Sequence, residues 1–317
     1  MLLMTAWIAC SPSVALGQFP GTESTKGPQP DKEQVQRWEF GIVVTAASGA
    51  CRGIVGTTTV PVDWPEQRIR IVEEDFSPFA RVSYRTVGGN VKQMVVAIPE
   101  LPAGEEARAV ITVEVSRHSL LPPPATEIFH IPPRAKLPKD VRPYLGSSPY
   151  IESQNGKIKS LARQIMKETE GQPDWNRVEA IYDWVREHVE YKEGPMKGAV
   201  AALKDETGDC EELTSLFIAL CRASGIPART VWIPGHCYPE FYLQDEEGQG
   251  YWFPCQAAGT RAFGGMPEYR PVLQKGDNIR LPEKPREPQR YAIDYLTGAG
   301  GKPKVKFIRR AVDIVRK

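Results

Sequence analysis

The sequence has almost no net charge and no apolar run long enough to cross a membrane. Forty Lys and Arg residues against 39 Asp and Glu give a formal charge of +1, so the chain lacks the electrostatic signature of a nucleic-acid-binding protein. The apolar run at its N-terminus is far too short to span a bilayer. We therefore expect neither a nucleic-acid partner nor a membrane span.

The six cysteines and four histidines lack the spacing of metal ligands. No CxxC pair, no His/Cys cluster and no calcium-binding constellation occurs, so we expect no metal and no cofactor. Five cysteines follow Cys10, at positions 51, 210, 221, 237 and 255. In an oxidising compartment an odd number leaves at least one thiol free.

Residues 1–17 are predicted to be a signal peptide. Ala15-Leu16-Gly17 before Gln18 has the small-x-small pattern of a signal-peptidase site. Export to the periplasm or to the outside of the cell would follow. Two alternatives stay open: a lipid anchor at Cys10, disfavoured by Trp7, and a disordered cytosolic tail.

The rest of the chain divides into a linker and two domains of ordinary size. Residues 18–34 lack periodicity and are predicted to be the linker. Residues 35–131 are predicted to form an antiparallel β-sandwich, because segments such as 109–115 alternate in polarity and Gly88-Gly89-Asn90 separates two strand-like runs. The second predicted domain covers residues 138–317.

Beyond the prolines at 122–124 and 132–133 the apolar period changes from 2 to 3.6. One helix face is predicted from Ile158 to Met166 and another from Val178 to His188. His188 is interpreted as the edge of a packing face rather than as a functional residue.

Cys210 is predicted to be the first residue of an amphipathic helix. Asp209 suits the N-cap, Glu212 completes a capping box, and Gly225 suits the C-terminal stop. The N-terminus of a helix favours a thiolate. The negative charges of Glu211 and Glu212 oppose one, and we expect the favourable influences to win if His236 lies within hydrogen-bond reach, which makes the sulfur reactive near neutral pH.

His236 opens the first of two strand-like segments, 236–243 and 251–256, joined by a polar loop. They are predicted to form an antiparallel pair. A helix then presents a cysteine and a sheet presents a histidine, which suits thiol catalysis because the base must reach the sulfur and a third polar group must orient the imidazole.

These residues resemble the transglutaminase-like superfamily. The resemblance rests on Gly208-Asp209-Cys210, the run LFIALCRASGIPAR at 216–229, His236, Trp252-Phe253-Pro254, and the upstream segment 181–191. It covers about residues 140–260. It implies an α+β, papain-like core, in which a cysteine helix packs on an antiparallel sheet, with Cys210 as nucleophile and His236 as its base. Bacterial members often carry a β-sandwich before this core.

The chain departs from the family pattern at Gln256, where members usually have an aspartate. An amide oxygen accepts a hydrogen bond from the imidazole but does not stabilise the imidazolium by charge. If His236 pairs with Gln256 across the two strands, Cys237 lies opposite Cys255. We therefore consider a cross-strand disulfide between these cysteines, with two buried free thiols as the alternative.

The sequence thus predicts thiol-dependent acyl transfer at amide bonds by Cys210, His236 and Gln256, with a protein or peptide substrate. The enzyme would be a cysteine peptidase, an amidase or a protein-glutamine transglutaminase. The alternative is a catalytically impaired module that binds protein or cell-wall peptides. The sequence does not decide between hydrolysis and crosslinking, and it does not reveal the oligomeric state.

Overall fold

The computed structural model describes residues 26–313, and the predicted signal peptide lies outside them. The strands are β1 (Gln29–Thr45), β2 (Cys51–Val60), β3 (Gln67–Phe76), β4 (Arg81–Val87), β5 (Val91–Leu101), β6 (Glu106–Leu121), β7 (Glu190–Tyr191), β8 (Thr207–Gly208), β9 (Ala228–Ile233), β10 (His236–Gln244), β11 (Gly250–Pro254), β12 (Gln274–Lys275), β13 (Ile279–Leu281), β14 (Lys284–Gln289), β15 (Tyr295–Gly300) and β16 (Lys304–Val312). The α-helices are α1 (Gly156–Glu168), α2 (Asp174–His188), α3 (Ala199–Asp205) and α4 (Cys210–Ala223), and 3-10 turns occur at Arg134–Lys136 and Arg142–Leu145. The predicted α+β class is confirmed.

The N-terminal all-β region is a sandwich of two antiparallel sheets. Their strand orders are β16-β1-β6-β3 and β15-β2-β5-β4. Along β6 the side chains of Ile111, Val113 and Val115 are buried, and those of Thr112 and Glu114 between them are more exposed. This alternation directs one face of the strand into the apolar core between the sheets.

The hairpin predicted at residues 88–90 is confirmed. β4 pairs with β5 in a register that sets Val87 opposite Val91. Gly88 and Gly89 have φ values of +56° and +85°. Glycine adopts such values without steric cost, which is why the tight reversal falls at these two residues.

The sandwich includes strands that lie outside its predicted limits of residues 35–131. β1 begins at Gln29, so residues 29–34 are strand and not linker. β15 pairs with β2 and β16 pairs with β1, so these two C-terminal strands belong to the sandwich sheets although they lie within the predicted second domain. They cover backbone groups of β2 and β1 that would otherwise form open sheet edges.

The rest of the described chain contains the helices, which pack against another antiparallel sheet, of order β11-β10-β9-β12, to form a helix-and-sheet core. The predicted faces of α1 and α2 are buried at Ile158, Ile165, Val178 and Ile181. α4 lies against β9 and β10, and its side chains from Glu212 to Arg222 are all buried. His188 stacks on Trp184 at the exposed end of α2, as expected for the edge of a packing face.

Buried polar groups join the sandwich to the core. The Arg117 guanidinium of β6 donates to the Tyr238 hydroxyl of β10 at 2.9 Å. The Gln67 side chain of β3 accepts from the Val272 N–H at 2.7 Å. The described chain contains no helix of sufficient length and apolarity to traverse a bilayer.

Candidate functional site

The N-terminus of α4 carries the capping box that the sequence predicts. The Asp209 carboxylate accepts from the Glu211 N–H at 2.7 Å, and Glu212 accepts from the Asp209 N–H at 3.1 Å. The second Glu212 oxygen accepts from the Lys197 N–H at 3.0 Å. The Glu212 carboxylate is therefore held against backbone donors, and Cys210 is fixed as the first residue of the helix.

Gly208 allows this arrangement through its lack of a side chain. A Cβ atom at position 208 would lie 2.4 Å from the Cβ of Glu212. Because that separation is below any real contact between carbon atoms, a larger residue would displace the capping glutamate. The glycine of the Gly-Asp-Cys sequence thus has a packing role in the site.

His236 follows a tight turn between β9 and β10. The turn consists of Pro234 and Gly235, with Gly235 at a φ of +71°, and it sets His236 opposite Ile233. Proline followed by a residue of positive φ is typical of a type II turn. The imidazole is therefore presented at the end of the sheet that lies beside the N-terminus of α4.

Gln256 lies after β11, and α2 holds its backbone. Its carbonyl accepts from the Tyr182 hydroxyl at 2.8 Å and from the Arg186 guanidinium at 3.0 Å. Its side-chain Oε1 lies 3.1 Å from His236 Nε2. The structure thus brings Cys210, His236 and Gln256 together, and the amide oxygen takes the place that the family pattern gives to a carboxylate.

The predicted strand register is wrong, although the His236–Gln256 contact exists. Glu240 pairs with Pro254, not with Trp252 as the predicted register requires. β11 ends at Pro254, and the Gln256 N–H donates to the Ala262 carbonyl at 2.8 Å. The contact is therefore made by the chain that leaves the sheet, not by strand pairing.

The disulfide considered between Cys237 and Cys255 is also absent. Both thiols are free. The Cys237 sulfur lies 3.6 Å from the Cys210 carbonyl oxygen, whereas the Cys255 sulfur lies 3.9 Å from the Pro239 carbonyl oxygen. The two side chains project toward different neighbours, which follows from the shifted register.

The environment of Cys210 favours its thiolate. The hydrogen bond from the Cys237 thiol has the largest influence, and together with the His236 imidazole it outweighs burial and lowers the pKa of Cys210 to about 4. Burial raises the pKa of Cys237 well above its ordinary value, so this thiol keeps its proton and donates. Burial alone would lower the pKa of His236, but its bonds to Cys210 and Gln256 raise it.

Glu211 opposes the thiolate less than its position suggests. Burial raises the pKa of Glu211 to about 7, against the opposite influence of Arg290. A carboxyl with that pKa carries only part of its charge at neutral pH. The pKa shifts of Cys210 and Glu211 agree with the expectation that the Cys210 thiolate is favoured despite the neighbouring glutamates.

Substitution of Cys237 by alanine is expected to raise the pKa of Cys210. The variant loses the thiol that has the largest influence on this pKa, and the His236 contribution remains. Iodoacetamide alkylation of Cys210 measured against pH reports the shift as a higher midpoint than in the wild type. Alanine at Cys51, a buried cysteine of the sandwich, is the matched control and should leave the midpoint unchanged. An unchanged midpoint in the Cys237→Ala variant would contradict the assignment.

Cys210 opens into a cleft of about 540 Å³. Charged and aromatic side chains line it, among them Tyr191, Glu211, Trp232, Arg290, Tyr291 and Arg309. Arg290 pairs with Glu211 at 2.5 Å. Three of these residues, Arg290, Tyr291 and Arg309, come from the C-terminal segment, and no local sequence pattern places them near Cys210.

Residues 159–257 match the family model of the transglutaminase-like superfamily. The chain contains a transglutaminase-like core. The matched range includes Cys210, His236 and Gln256, and it falls within the range over which the sequence resembles that superfamily. Among residues 26–313, no group of three or more His, Cys, Asp or Glu side chains could hold a metal ion in or beside this core.

One solved structure extends the likeness in fold beyond the transglutaminase-like core. A candidate cysteine protease from Cytophaga hutchinsonii covers 92% of this chain and 94% of its own, at 18% identity and a TM-score of 0.59. The periplasmic domain of TgpA from Pseudomonas aeruginosa, in complex with ethylmercury, covers 69% of this chain and 89% of its own, at 14% identity and a TM-score of 0.34. No curated protein matches the sequence. The first structure shares the fold of nearly the whole chain, sandwich included.

Proposed function

We propose that the protein is a thiol-dependent acyl-transfer enzyme acting on amide bonds of proteins or peptides. The observation that carries this proposal is the linked set of Cys210, His236 and Gln256, of which Cys210 and His236 line an open cleft. The thiolate is favoured at Cys210, and the imidazole is held by the amide oxygen 3.1 Å from Nε2. This is the relation between nucleophile, base and orienting group that thiol catalysis requires.

The reaction begins when the Cys210 thiolate attacks the carbonyl carbon of the substrate amide. A carbon–sulfur bond forms, and the carbonyl electron pair moves to oxygen. The tetrahedral intermediate collapses as the carbon–nitrogen bond breaks, and the protonated His236 gives its proton to the leaving amine. Water or an amine, deprotonated by His236, then attacks the thioester and releases Cys210.

Gln256 orients the imidazole of His236 but does not stabilise the imidazolium by charge. Its Oε1 orients the imidazole by accepting from Nε2, the part that a neutral third residue plays in the Cys-His-Asn set of papain-like proteases. A carboxylate would add charge stabilisation of the imidazolium. The same neutral residue favours the alternative function, an impaired module that binds protein or cell-wall peptides, and the depressed pKa of Cys210 argues for the enzyme.

Formation of a thioester on Cys210 tests the proposal. We expect p-nitrophenyl acetate to give a burst of p-nitrophenolate and an acetyl group on the Cys210 peptide in mass spectra. The Cys210→Ala variant should give neither. The Cys221→Ala variant is the matched control, because Cys221 lies in the same helix with no exposed surface, and it should behave as the wild type. A burst that persists without Cys210 would exclude this cysteine as the nucleophile.

Competition between water and amines then separates the two reaction types. A peptide amide incubated with and without a primary amine gives free acid if the enzyme hydrolyses, and a new amide if it transfers. The ratio of the two products identifies the acceptor that resolves the thioester.

A further inference from the structure

Gln256 begins a loop, residues 256–262, that turns back on itself beside α2. β11 ends at Pro254, so the regular ladder between β10 and β11 does not include Gln256. At the other end of the loop the Ala262 carbonyl accepts from the Gln256 N–H at 2.8 Å. The position of the amide that orients the imidazole therefore depends on what fixes this loop.

Arg186 of α2 binds three carbonyl oxygens of the loop. Its Nη1 donates to the carbonyls of Gln256 and Ala257 at 3.0 and 3.1 Å, and its Nη2 donates to that of Gly259 at 2.8 Å. A guanidinium carries its donors in a rigid fork, which suits it to hold several acceptors in one geometry. A Cβ atom at Gly259 would lie 3.9 Å from Gln256 Nε2, so the turn that Arg186 holds also lies against the Gln256 side chain.

Tyr182, one helical turn before Arg186, ties the two ends of the loop together. Its hydroxyl donates to the Gln256 carbonyl at 2.8 Å and accepts from the Ala262 N–H at 3.1 Å. The Tyr182 side chain is buried, and the Arg186 guanidinium lies 5.5 Å over its ring. Residues four apart lie on the same side of a helix, so α2 presents both groups to the loop.

We propose that Arg186 and Tyr182 are positioning residues that fix this loop so that the Gln256 amide oxygen stays bonded to the imidazole of His236. The need for them follows from the neutral third residue. A carboxylate attracts an imidazolium by charge over a range of geometries, whereas an amide oxygen orients the ring only through a directional hydrogen bond. The inference rests on the proposed acyl transfer, in which His236 gives and takes the proton.

The ionisation of His236 reports this positioning without any substrate. Burial is the largest influence on its pKa and lowers it, as does the Arg270 guanidinium, whereas the contacts with Cys210 and Gln256 raise it above its ordinary value. If Arg186→Ala releases the loop, the Gln256 contribution is lost and the pKa of His236 falls. Removal of the Arg186 charge acts in the opposite direction, because a nearby cation disfavours the imidazolium. A lower pKa therefore identifies lost positioning and not lost charge.

The test combines NMR titration of the histidine C2–H resonances with kcat/KM for a peptide amide against pH. The spectrum of His236→Ala assigns the resonance among the four histidines. We expect Arg186→Ala and Tyr182→Phe to lower the pKa of His236 and to move the alkaline limb of activity to lower pH. They should lower kcat/KM by up to about 10²-fold, the cost of misplacing a catalytic group. The acid limb, which Cys210 sets, should not move.

Arg261→Ala is the matched control. The Arg261 guanidinium also lies 5.5 Å over the Tyr182 ring, but it pairs at the surface with Glu179 and Asp183. Its removal therefore takes a cation from the same aromatic ring and leaves the carbonyls of the loop bound to α2. Both kcat/KM and the pKa of His236 should match the wild type.

Gln256→Ala completes a double-mutant cycle. Because Arg186 acts through Gln256, Arg186→Ala should not lower the pKa of His236 further in the Gln256→Ala background. An unchanged pKa in the single variant Arg186→Ala would overturn the inference, and so would additive lowering in the double variant, which would indicate a general loss of packing. If Arg186→Ala does not fold, Tyr182→Phe, which removes only a hydroxyl, decides the same question.

The proposed function fails separately. If the wild-type protein forms no acetyl thioester at Cys210 while Arg186→Ala still lowers the pKa of His236, the acyl transfer is wrong and the positioning of the imidazole stands.

Discussion

Substitution of His236 by alanine is expected to lower the rate of acyl transfer by about 10²–10⁴-fold, the range measured for loss of a general acid–base group. Two effects combine. The leaving amine loses its proton donor, and the Cys210 thiolate loses the imidazolium that stabilises it. The measurement is kcat/KM for a peptide amide together with the Cys210 alkylation profile against pH. The alkylation midpoint should rise in the same variant.

The pH dependence of the wild-type enzyme follows from the same two groups. The pKa of Cys210 is lowered to about 4, so the thiolate is present above that pH. The pKa of His236 is raised above its ordinary value of 6.5, so the imidazolium persists to a higher pH than in a free histidine. Activity should rise as the pH passes about 4 and fall above the raised pKa of His236. His236→Ala should lose the alkaline limb.

The Gln256→Ala variant is the matched comparison for His236→Ala. It removes the acceptor 3.1 Å from Nε2 and keeps the backbone carbonyl that Tyr182 and Arg186 hold. The imidazole stays in the site without its orienting partner, so we expect a smaller loss than in His236→Ala. Equal activity of His236→Ala and the wild type would mean that another group serves as the base.

The helix that carries Cys210 could be predicted from sequence because all of its signals are local. Asp209 and Glu212 form the capping box at one end. At the other end Gly225 has a φ of +83°, and the Ile226 N–H donates to the Cys221 carbonyl at 2.9 Å. Such caps depend on residues within one turn of the helix, so the sequence alone determines them.

The strand register could not be predicted in the same way. His236 and Gln256 are in contact, but a regular strand pair between them would require β11 to continue as far as Gln256. The chain instead leaves the sheet after Pro254, and Cys255 forms an isolated bridge with Phe263. Pro254 is a local signal for the end of the strand, because it has no N–H to donate to the ladder. The residues that bind the departing chain, Ala262 and Phe263, lie after the predicted strand.

The pairing of the C-terminal strands is the other feature beyond local analysis. β16 runs beside β1 and pairs Val312 with Arg37. An alternating segment can be identified as a strand from its own residues, but its partner is chosen by what the rest of the fold leaves unpaired. Arg290 and Tyr291 line the Cys210 cleft, and they lie just before β15, where the chain returns to the sandwich.

The buried side chains of Lys275, Glu66 and Glu240 give a prediction about stability. Lys275 Nζ lies 2.7 Å from a carboxylate oxygen of each glutamate. The three side chains are only 3–6% exposed. Glu66 comes from the sandwich, and Lys275 and Glu240 come from the core sheet, so the lysine bridges two carboxylates at the junction of the two parts. Arg229, which also pairs with Glu240, supplies the second positive charge.

Substitution of Lys275 by methionine is expected to destabilise the protein by about 3–5 kcal/mol, the usual cost of leaving a buried charge without its partner. Glu240 keeps its bond to Arg229 at 2.7 Å, so Glu66 accounts for most of the loss. Urea denaturation measures the change as a lower midpoint. Arg52→Met is the matched control, because its pair with Glu100 is 76% and 63% exposed and 3.7 Å long. That variant should differ from the wild type by no more than about 0.5 kcal/mol.

The pH dependence of the stability separates lost charge neutralisation from lost packing. Burial is the largest influence on Glu240 and raises its pKa, but Lys275 and Arg229 together outweigh it and lower the pKa to about 2. A depressed carboxyl pKa stabilises the fold above its ordinary value of 4.5, and the contribution is lost as the pH falls toward 2. Lys275→Met should lose part of this dependence, so the gap between variant and wild type should narrow on acidification. A gap that stays constant from neutral pH to pH 3 would mean that Lys275 acts through its packing alone.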